Sequence, residues 1–267
     1  MDYSMLLLLY VLRWYYDIKI DVNRKGDSMR SYLILGASKG LGDAFVKGLP
    51  EYGDRVWIVS RSRPGSLDLN DGIQRIWIAA DLSQPDAAQV LSKGIQAEKI
   101  DVLVYNVGIW EKEGFEDHYT FDKDEATDIA NIINVNITST ITCIQAVIPN
   151  LRQSEAGKII LIGSTAGLDH TNNAQVSFVA SKFGLRGITH ALREHVRKDG
   201  IAVTCVNPGE LAAEIPYEDG AEKAIAEYNG TRIPVQDIVS IVKCIINLSS
   251  ASCVKEIHIP AMADLNA

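Results

Sequence analysis

LGASKGLG, residues 35–42, lies between a short apolar run and an amphipathic stretch, which is the position of a strand-to-helix turn. Its glycines are spaced G-x-x-x-G-x-G, and glycine lets phosphate oxygens approach the backbone N–H groups at a helix N-terminus. A purely structural tight turn is the alternative, but the setting between strand and helix favours a pyrophosphate site. The residues predicted to hold the pyrophosphate are Gly36, Ser38, Lys39, Gly40, Leu41 and Gly42.

From residue 31 onward, short apolar runs alternate along the chain with longer amphipathic stretches, a pattern typical of βαβ units. Runs rich in Val, Ile and Leu suit strands that helices cover on both faces. We therefore predict an α/β fold, a Rossmann-like doubly wound seven-stranded parallel sheet with helices on both faces. The predicted strands are Tyr32–Leu35, Arg55–Ser60, Arg75–Ala80, Asp101–Tyr105, Lys158–Gly163, Ala202–Val206 and Glu256–Ile259, and the predicted helices lie near 40–50, 85–97, 124–150, 175–199 and 235–249.

The 267 residues suffice for one large α/β domain. No proline-rich linker, internal repeat or change of composition divides residues 29–267, so we predict a single domain there. Residues 1–28 are interpreted as an appendage, whose apolar patch from Met5 to Leu12 is too short to span a bilayer. A membrane-surface anchor is the minor alternative. Because the patch lacks a basic start and a small-residue cleavage site, we expect a cytoplasmic protein.

Composition excludes several classes of function. A formal net charge of -8 argues against a nucleic-acid partner, because binding to phosphates rests on clustered Lys and Arg. The four cysteines and five histidines have no spacing typical of metal ligands, so no metal is predicted. The cysteines are predicted to be buried or half-buried free thiols. The expected partner is a small molecule.

Further landmarks lie in order at the predicted ends of strands. They are Asp81 and Leu82 after the third strand, Asn106 and Gly108 after the fourth, Asn136 in the long central helix, Ser164 after the fifth and Pro208 and Gly209 after the sixth. With the glycine turn, they resemble the short-chain dehydrogenase/reductase family over nearly all of residues 31–260. The resemblance implies that Asp81 contacts the adenine, that Asn136 serves structure and a proton relay, and that Ser164 orients the substrate. It also implies that Pro208 and Gly209 lie beside the nicotinamide.

The end of the second predicted strand indicates which nicotinamide coenzyme binds. An acid there accepts a hydrogen bond from a free ribose 2′-hydroxyl, whereas a base accommodates a 2′-phosphate. No acid follows this strand, but Arg61 and Arg63 do, and Lys39 lies on the same side. Solvated loop arginines are the alternative. We predict NADP(H) in preference to NAD(H).

The family's proton donor is a tyrosine in Y-x-x-x-K, but this chain has Phe178 four residues before Lys182. Positions i and i+4 share a helix face, so the lysine can lower the pKa of the phenol and also hold the nicotinamide ribose. Phenylalanine has no titratable atom, and a positioned acid typically contributes about 10²- to 10⁴-fold to rate. Phe178 would fit a core position equally well. Substitute donors are Ser164, Thr165, Ser177, His170 or a water bound to Lys182.

The segment after Gly209 departs from the family as well. Many relatives carry a threonine there that bonds the nicotinamide carboxamide, and this chain reads Glu210-Leu211-Ala212-Ala213. The resemblance implies that the segment up to Arg232 is a substrate lid, and its acids are interpreted as a solvated face. Trp110 and residues 111–125 are expected to add to the pocket rim. The lid acids are Glu210, Glu214, Glu218, Asp219 and Glu222.

These observations leave three functions open. The first is an NADP(H)-dependent carbonyl reductase or alcohol dehydrogenase with impaired or altered proton transfer. The second is a non-catalytic NADP(H)-binding sensor or partner protein, and the third is an active reductase inactivated by a Tyr-to-Phe change. Apolar stripes over residues 124–150 and 175–196, including Ile129, Ile132, Ile133 and Ile137, predict a homodimer or homotetramer. Alternatively, the stripes only cover the sheet.

Overall fold

Seven parallel strands form one open sheet in the computed structural model, which describes residues 29–168 and 173–264. The strand order is β3-β2-β1-β4-β5-β6-β7, within a compact unit that spans Ser31–Ala267. The predicted fold class is confirmed. The strands are β1 Ser31–Leu35, β2 Arg55–Ser60, β3 Gln74–Ala79, β4 Val102–Tyr105, β5 Lys158–Ile162, β6 Ala202–Pro208 and β7 Glu256–Ile259.

The α-helices follow the predicted pattern with two differences. A π-helical turn, Asn134–Thr138, interrupts the predicted central helix, and a short helix lies within the predicted lid, where none was expected. That helix has only eight residues and buries only Ala224, so it presents little apolar surface that a sequence pattern could mark. The α-helices are α1 Gly40–Gly48, α2 Ala87–Ile95, α3 Ala126–Ile133, α4 Ser139–Leu151, α5 Val176–Val196, α6 Ala221–Tyr228 and α7 Val235–Ile246.

The core forms two layers, because successive side chains of a strand point to opposite faces of the sheet. Leu33 and Leu35 of β1 belong to the layer covered by α2, α4 and α5. Tyr32 and Ile34 belong to the layer covered by α1 and α7. All four side chains are buried, which explains why the strands are continuously apolar rather than alternating.

The strand order reverses beside β1, and this reversal positions the site. β2 and β3 lie on one side of β1, and β4 to β7 lie on the other. Leu35 pairs with both Val59 and Tyr105, so the turns that follow β1 and β4 leave the sheet side by side. Crevices at such switch points, at the carboxyl ends of parallel strands, are where open α/β sheets bind ligands.

Two further predictions concern thiols and the membrane. Cys143 and Cys205 are buried as expected, but the prediction is wrong for Cys244 and Cys253, which are exposed. Cys244 lies on the outer face of α7, opposite the buried Val242.

Among the described residues, the continuous helical stretch Ala126–Leu151 is long and apolar enough to cross a membrane. Half of its apolar window is buried inside the molecule, however, as in a core helix. The predicted appendage, 1–28, lies outside the described residues.

Candidate active and coenzyme site

The glycine turn places main-chain groups of α1 at the crevice between β1 and β4. Gly36 has a φ of +78°, a conformation that favours glycine. A Cβ on Gly42 would clash with the carbonyl oxygen of Gly36, so only glycine lets α1 pack this close to the turn. Lys39 precedes the helix and its side chain does not cap it. The turn therefore has the close backbone and the uncapped helix N-terminus that a phosphate group requires.

Two cations stand at the end of the crevice formed by β1, β2 and β3. Lys39 and Arg61 are exposed, and neither forms an ion pair with any described residue. Arg63, by contrast, donates two hydrogen bonds to Asp68, at 2.8 and 2.6 Å. The loop after β2 thus offers Arg61, and not Arg63, to an anionic ligand.

Asp81, at the end of β3, is held by its own loop. Its Oδ1 accepts hydrogen bonds from the Ser83 N–H at 3.0 Å and from the Ser83 hydroxyl at 2.8 Å. The Ser83 N–H is the main reason that the pKa of Asp81 lies below its ordinary value, and the charge of Arg61 acts in the same direction. Leu82, the next residue, is buried. The ends of β2 and β3 are therefore electrostatic neighbours, as an adenosine pocket between them would require.

Asn106 and Asn136 fix the loop that leaves β4. Asn106 Nδ2 donates to the Gly36 carbonyl at 3.1 Å and so ties this loop to the glycine turn. In the π-helical turn, Asn136 accepts from the Ile109 N–H and donates to the Ile109 carbonyl, both at 2.8 Å, and also donates to Ser181 Oγ at 2.9 Å. The side chain of Asn136 therefore serves structure, and its predicted part in a proton relay stays a prediction.

Lys182 lies at the centre of the site. A Cβ built on Gly108 would stand 3.2 Å from Lys182 Nζ, so the lysine reaches the turn after β4. The ammonium donates to the Ile162 carbonyl at 3.3 Å. Burial disfavours its charge and lowers the pKa of Lys182 to about 8. Ser164 lies two residues after Ile162, the last residue of β5, and its Oγ accepts from the Ala166 N–H at 3.1 Å.

Phe178 lies one helical turn before Lys182 on α5. It is 7% exposed, and Lys182 Nζ lies 5.4 Å from its ring centroid, within cation–π distance. The ring contacts Trp110 and Phe115 edge-to-face, each with centroids 6.3 Å apart. Those two partners are 53% and 62% exposed, and Phe178 belongs to neither core layer. Phe178 is therefore buried, as the core interpretation expects, but it lies apart from the two core layers, where it forms the floor of a cluster whose other two rings are exposed.

Glu111 is a functional candidate that sequence reasoning placed only on the pocket rim. Its side chain is buried, and its Oε1 accepts from the N–H groups of Ser177 and Phe178 at 2.9 and 3.1 Å. A carboxylate here caps α5 and complements the helix dipole. Its Oε2 is buried without a hydrogen-bond partner among the described residues. The only sequence signal was indirect, because Gln175, which precedes α5, is a poor N-cap residue.

The predicted lid begins directly against the glycine turn. Gly209 donates to the Ile259 carbonyl at 2.9 Å, which fixes the end of β6, where Pro208 is buried. A Cβ on Gly40 would stand 3.3 Å from the Cβ of Ala213. Ala213 therefore lies beside the glycine turn, and it brings no hydroxyl to that place.

All five lid acids are exposed, as expected of a solvated face, and four of them also form ion pairs. Arg232 bridges Glu210 at 2.6 Å and Glu214 at 2.5 Å. Lys47 of α1 pairs with Glu218 at 2.9 Å, and Lys223 pairs with Asp219 at 2.6 Å. In three of these four pairs the basic partner is close in space but far along the chain, which a sequence pattern does not show. His170, one of the substitute proton donors, lies outside the described residues.

This open parallel sheet, with a glycine turn at its switch point, belongs to the class of dinucleotide-binding α/β folds. The sequence pattern of the family described as short chain dehydrogenase matches residues 30–223, well over half of the chain. The protein is therefore a member of the short chain dehydrogenase family, a family of oxidoreductases, and the resemblance seen in the sequence is confirmed.

Known proteins agree with this assignment. The chain is 26% identical over 216 residues, 77% of its length and 82% of the relative's, to the rhamnolipids biosynthesis 3-oxoacyl-(acyl-carrier-protein) reductase of Pseudomonas aeruginosa. It shares the fold of the RhlG/NADP active-site complex of that organism, with TM-score 0.70, 24% identity and coverage of 88% and 94% of the two chains. It likewise shares the fold of a Brucella melitensis 3-oxoacyl-(acyl-carrier-protein) reductase in complex with NAD, with TM-score 0.72, 19% identity and coverage of 88% and 97%.

Proposed function

We propose that this protein is an NADP(H)-dependent short-chain oxidoreductase, a carbonyl reductase or alcohol dehydrogenase, in which Phe178 replaces the tyrosine that transfers the proton. One observation carries the proposal. Phe178 lies on the helix face of Lys182, with the ammonium 5.4 Å from its ring, and belongs to neither of the two core layers. A tyrosine hydroxyl at the edge of this ring would stand where a buried lysine can adjust its pKa.

The residues of the crevice suit a nicotinamide coenzyme, whose C4 carries the hydride that such a reaction transfers. The close backbone of the glycine turn would hold the pyrophosphate, and Lys182 would hold the nicotinamide ribose. Ser164 uses its oxygen as an acceptor from Ala166, which leaves its hydroxyl hydrogen for a substrate oxygen. With Phe178 in place of tyrosine, no phenol transfers the proton, so we expect binding with slow chemistry.

The preference for NADP(H) rests on the cations near the end of β2. Lys39 and Arg61 are exposed and have no ion-pair partner among the described residues, so both are available to a 2′-phosphate. No acid stands at this strand end to accept from a free 2′-hydroxyl. Since relatives with this fold bind either NADP or NAD, the preference has to be argued from these residues.

A non-catalytic NADP(H)-binding sensor or partner protein is the second candidate function. Two departures favour it, Phe178 at the proton-donor position and Ala213 beside the phosphate turn. Both remove a hydroxyl, and neither narrows the crevice. The same observations are compatible with an active reductase that a Tyr-to-Phe change has inactivated.

The test is a calorimetric titration with NADPH and with NADH, followed by NADPH oxidation against small aldehydes, ketones and diketones. We expect NADPH to bind more tightly than NADH. Equal or reversed affinity would refute the coenzyme preference, and the absence of binding would refute the function. Binding with measurable turnover supports the oxidoreductase, whereas binding without turnover on any carbonyl supports the sensor.

We also propose a homodimer or homotetramer. Ile132 of the predicted stripe is buried, so part of the stripe only covers the sheet. Other apolar side chains of α3, α4 and α5 remain exposed, namely Ile133 at 37%, Ile141 at 47%, Val176 at 48% and Phe183 at 38%. Pairing of these helices in a symmetric assembly would cover them. Light scattering at micromolar concentration should give a multiple of the 29.3 kDa chain mass, and a clean monomer would contradict the proposal.

A further inference from the structure

One carboxylate outside the crevice joins three separate segments of the chain. Glu256, the first residue of β7, accepts from Arg186 through Nε at 2.6 Å and through Nη2 at 3.3 Å. The same carboxylate accepts from Asn207 Nδ2 at 2.7 Å. Arg186 lies on α5 and Asn207 lies on β6, so the contact ties a helix and two strands together.

Each group in this contact is next to a part of the candidate site. Arg186 lies one helical turn after Lys182, and its Nη1 donates to the Gly167 carbonyl at 2.9 Å, at the end of the turn that Ser164 begins. Asn207 is completely buried and directly precedes Pro208 and Gly209. The three segments that Glu256 and Arg186 hold are therefore those that carry Ser164, Lys182 and the Pro208-Gly209 turn.

We propose that Arg186 and Glu256 are a positioning pair that fixes the nicotinamide side of the site, by holding the Ser164 turn, α5 and the end of β6 in one arrangement. The inference rests on the proposed function, because it assigns this side of the crevice to the nicotinamide. Both residues act indirectly, Arg186 through the Gly167 carbonyl and Glu256 through the Asn207 side chain.

The local chemistry distinguishes this pair from an ordinary surface ion pair. Partial burial favours protonated Glu256, but the hydrogen bonds from Arg186 and Asn207 outweigh it and hold the pKa of Glu256 below its ordinary value. His258 Nε2 also lies 3.5 Å from the carboxylate. Removal of the carboxylate would leave the amide N–H of Asn207 buried without its acceptor. The Asn207 side chain is closely packed there, since a Cβ on Gly163 would clash with its Oδ1.

The experiment compares a whole coenzyme with the part that reaches only the adenosine end. NADPH and adenosine 2′,5′-bisphosphate are titrated into the full-length parent and into Glu256→Ala. We expect the variant to bind NADPH on the order of 10-fold more weakly and the bisphosphate equally well. Glu256→Gln keeps an acceptor for Asn207 and should recover most of the loss. Asp199→Ala is the matched control, since it removes another acid paired with arginine, Arg152 at 2.9 Å, and should change neither affinity.

The possible outcomes distinguish a failure of this inference from a failure of the proposed function. A parent that binds neither ligand refutes the proposed function and this inference together. A parent that binds both, with a variant that loses neither or loses both equally, refutes this inference alone. If Glu256→Ala does not fold, Arg186→Met, which leaves Asn207 its acceptor, is used instead, and the same selective loss of NADPH is expected.

Discussion

The two ends of the crevice are built in opposite ways. At the end proposed for the adenosine, Lys39 and Arg61 are exposed and form no ion pair with any described residue. At the end proposed for the reaction, Asn136 and Lys182 are buried, and their hydrogen bonds go to the protein's own backbone and side chains. The first end presents positive charge to a ligand, whereas the side chains at the second end are held in place by hydrogen bonds within the protein.

The two ends of the crevice should therefore respond to different changes. Exposed cations act through charge, so salt and charge reversal should affect the adenosine end, and the fold should tolerate both. The reacting end depends on buried groups, so changes there should affect chemistry, pH dependence or stability. The four variants below probe this contrast, beginning with the largest expected effect.

Phe178→Tyr should raise carbonyl-reductase turnover by on the order of 10²-fold or more, because it adds the missing acid beside Lys182. Affinity for NADPH should change little, since the ring already occupies the space. The measurement is steady-state NADPH oxidation, with bound coenzyme verified in both proteins. Phe178→Leu is the control and should give no gain. A tyrosine variant that binds NADPH and is no faster on any substrate the parent accepts would show that Phe178 does not occupy the donor position.

Lys182 should make stability rise with pH. Its pKa of about 8 in the fold lies below the ordinary value of 10.5, so between these values the unfolded chain binds more protons than the folded one. The free energy of unfolding of the parent, minus that of Lys182→Met, should therefore increase by about 2 kcal/mol from pH 8.5 to pH 10. Urea titrations at both pH values measure it. A constant or falling difference would mean that the lysine is not desolvated as described.

Arg61→Asp should weaken NADPH binding by on the order of 10-fold while leaving NADH binding unchanged or stronger, because a carboxylate would face the 2′-phosphate. The parent's loss of NADPH affinity with added salt should also shrink in this variant. Arg63→Asp is the matched control, since Asp68 already holds Arg63, and its effect should be smaller. Equal losses in the two variants would indicate general charge repulsion instead of a contact at residue 61.

Glu111→Ala should lower the free energy of unfolding by about 1 kcal/mol, because the N–H groups of Ser177 and Phe178 lose their acceptor. Glu111→Gln should cost less, since an amide oxygen still accepts. The exposed Glu113→Ala serves as control, with an expected change within about 0.5 kcal/mol. Chemical denaturation of the three variants measures the effect, and an unchanged Glu111→Ala would mean that the cap contributes nothing to stability.

Much of the architecture could be predicted from sequence because it rests on local patterns. The runs of Val, Ile and Leu between turn residues gave all seven strands, and β2 and β7 agree with their predicted bounds. The glycine turn, Asn106, Ser164 and Lys182 could be proposed as site residues because each lies near the end of a strand or at a fixed helical spacing. The appendage, 1–28, falls outside the described residues and remains a prediction.

Contacts between residues distant along the chain could not be predicted in the same way. Glu111 caps a helix that begins 65 residues later, and Arg186 meets Glu256 across 70 positions, so no local pattern reports either contact. In the π-helical turn at Asn134–Thr138, Asn136 reaches Ile109, and hydrophobic periodicity does not record such a contact. α6 was missed because it is short and buries only one alanine.

Contacts hold together the two ends of the predicted lid, and they bear on how the protein could diversify. Leu211 pairs with Ile233, and Arg232 bridges Glu210 and Glu214, so both ends of the segment are fastened beside β6. Loop-closure entropy changes only slowly with loop length. Tyr217 and Glu218 still contact the core layer and α1. The rest of residues 215–231 could change in length at little cost in closure entropy, so substrate range could drift there by insertion or exchange while the proposed coenzyme crevice is kept.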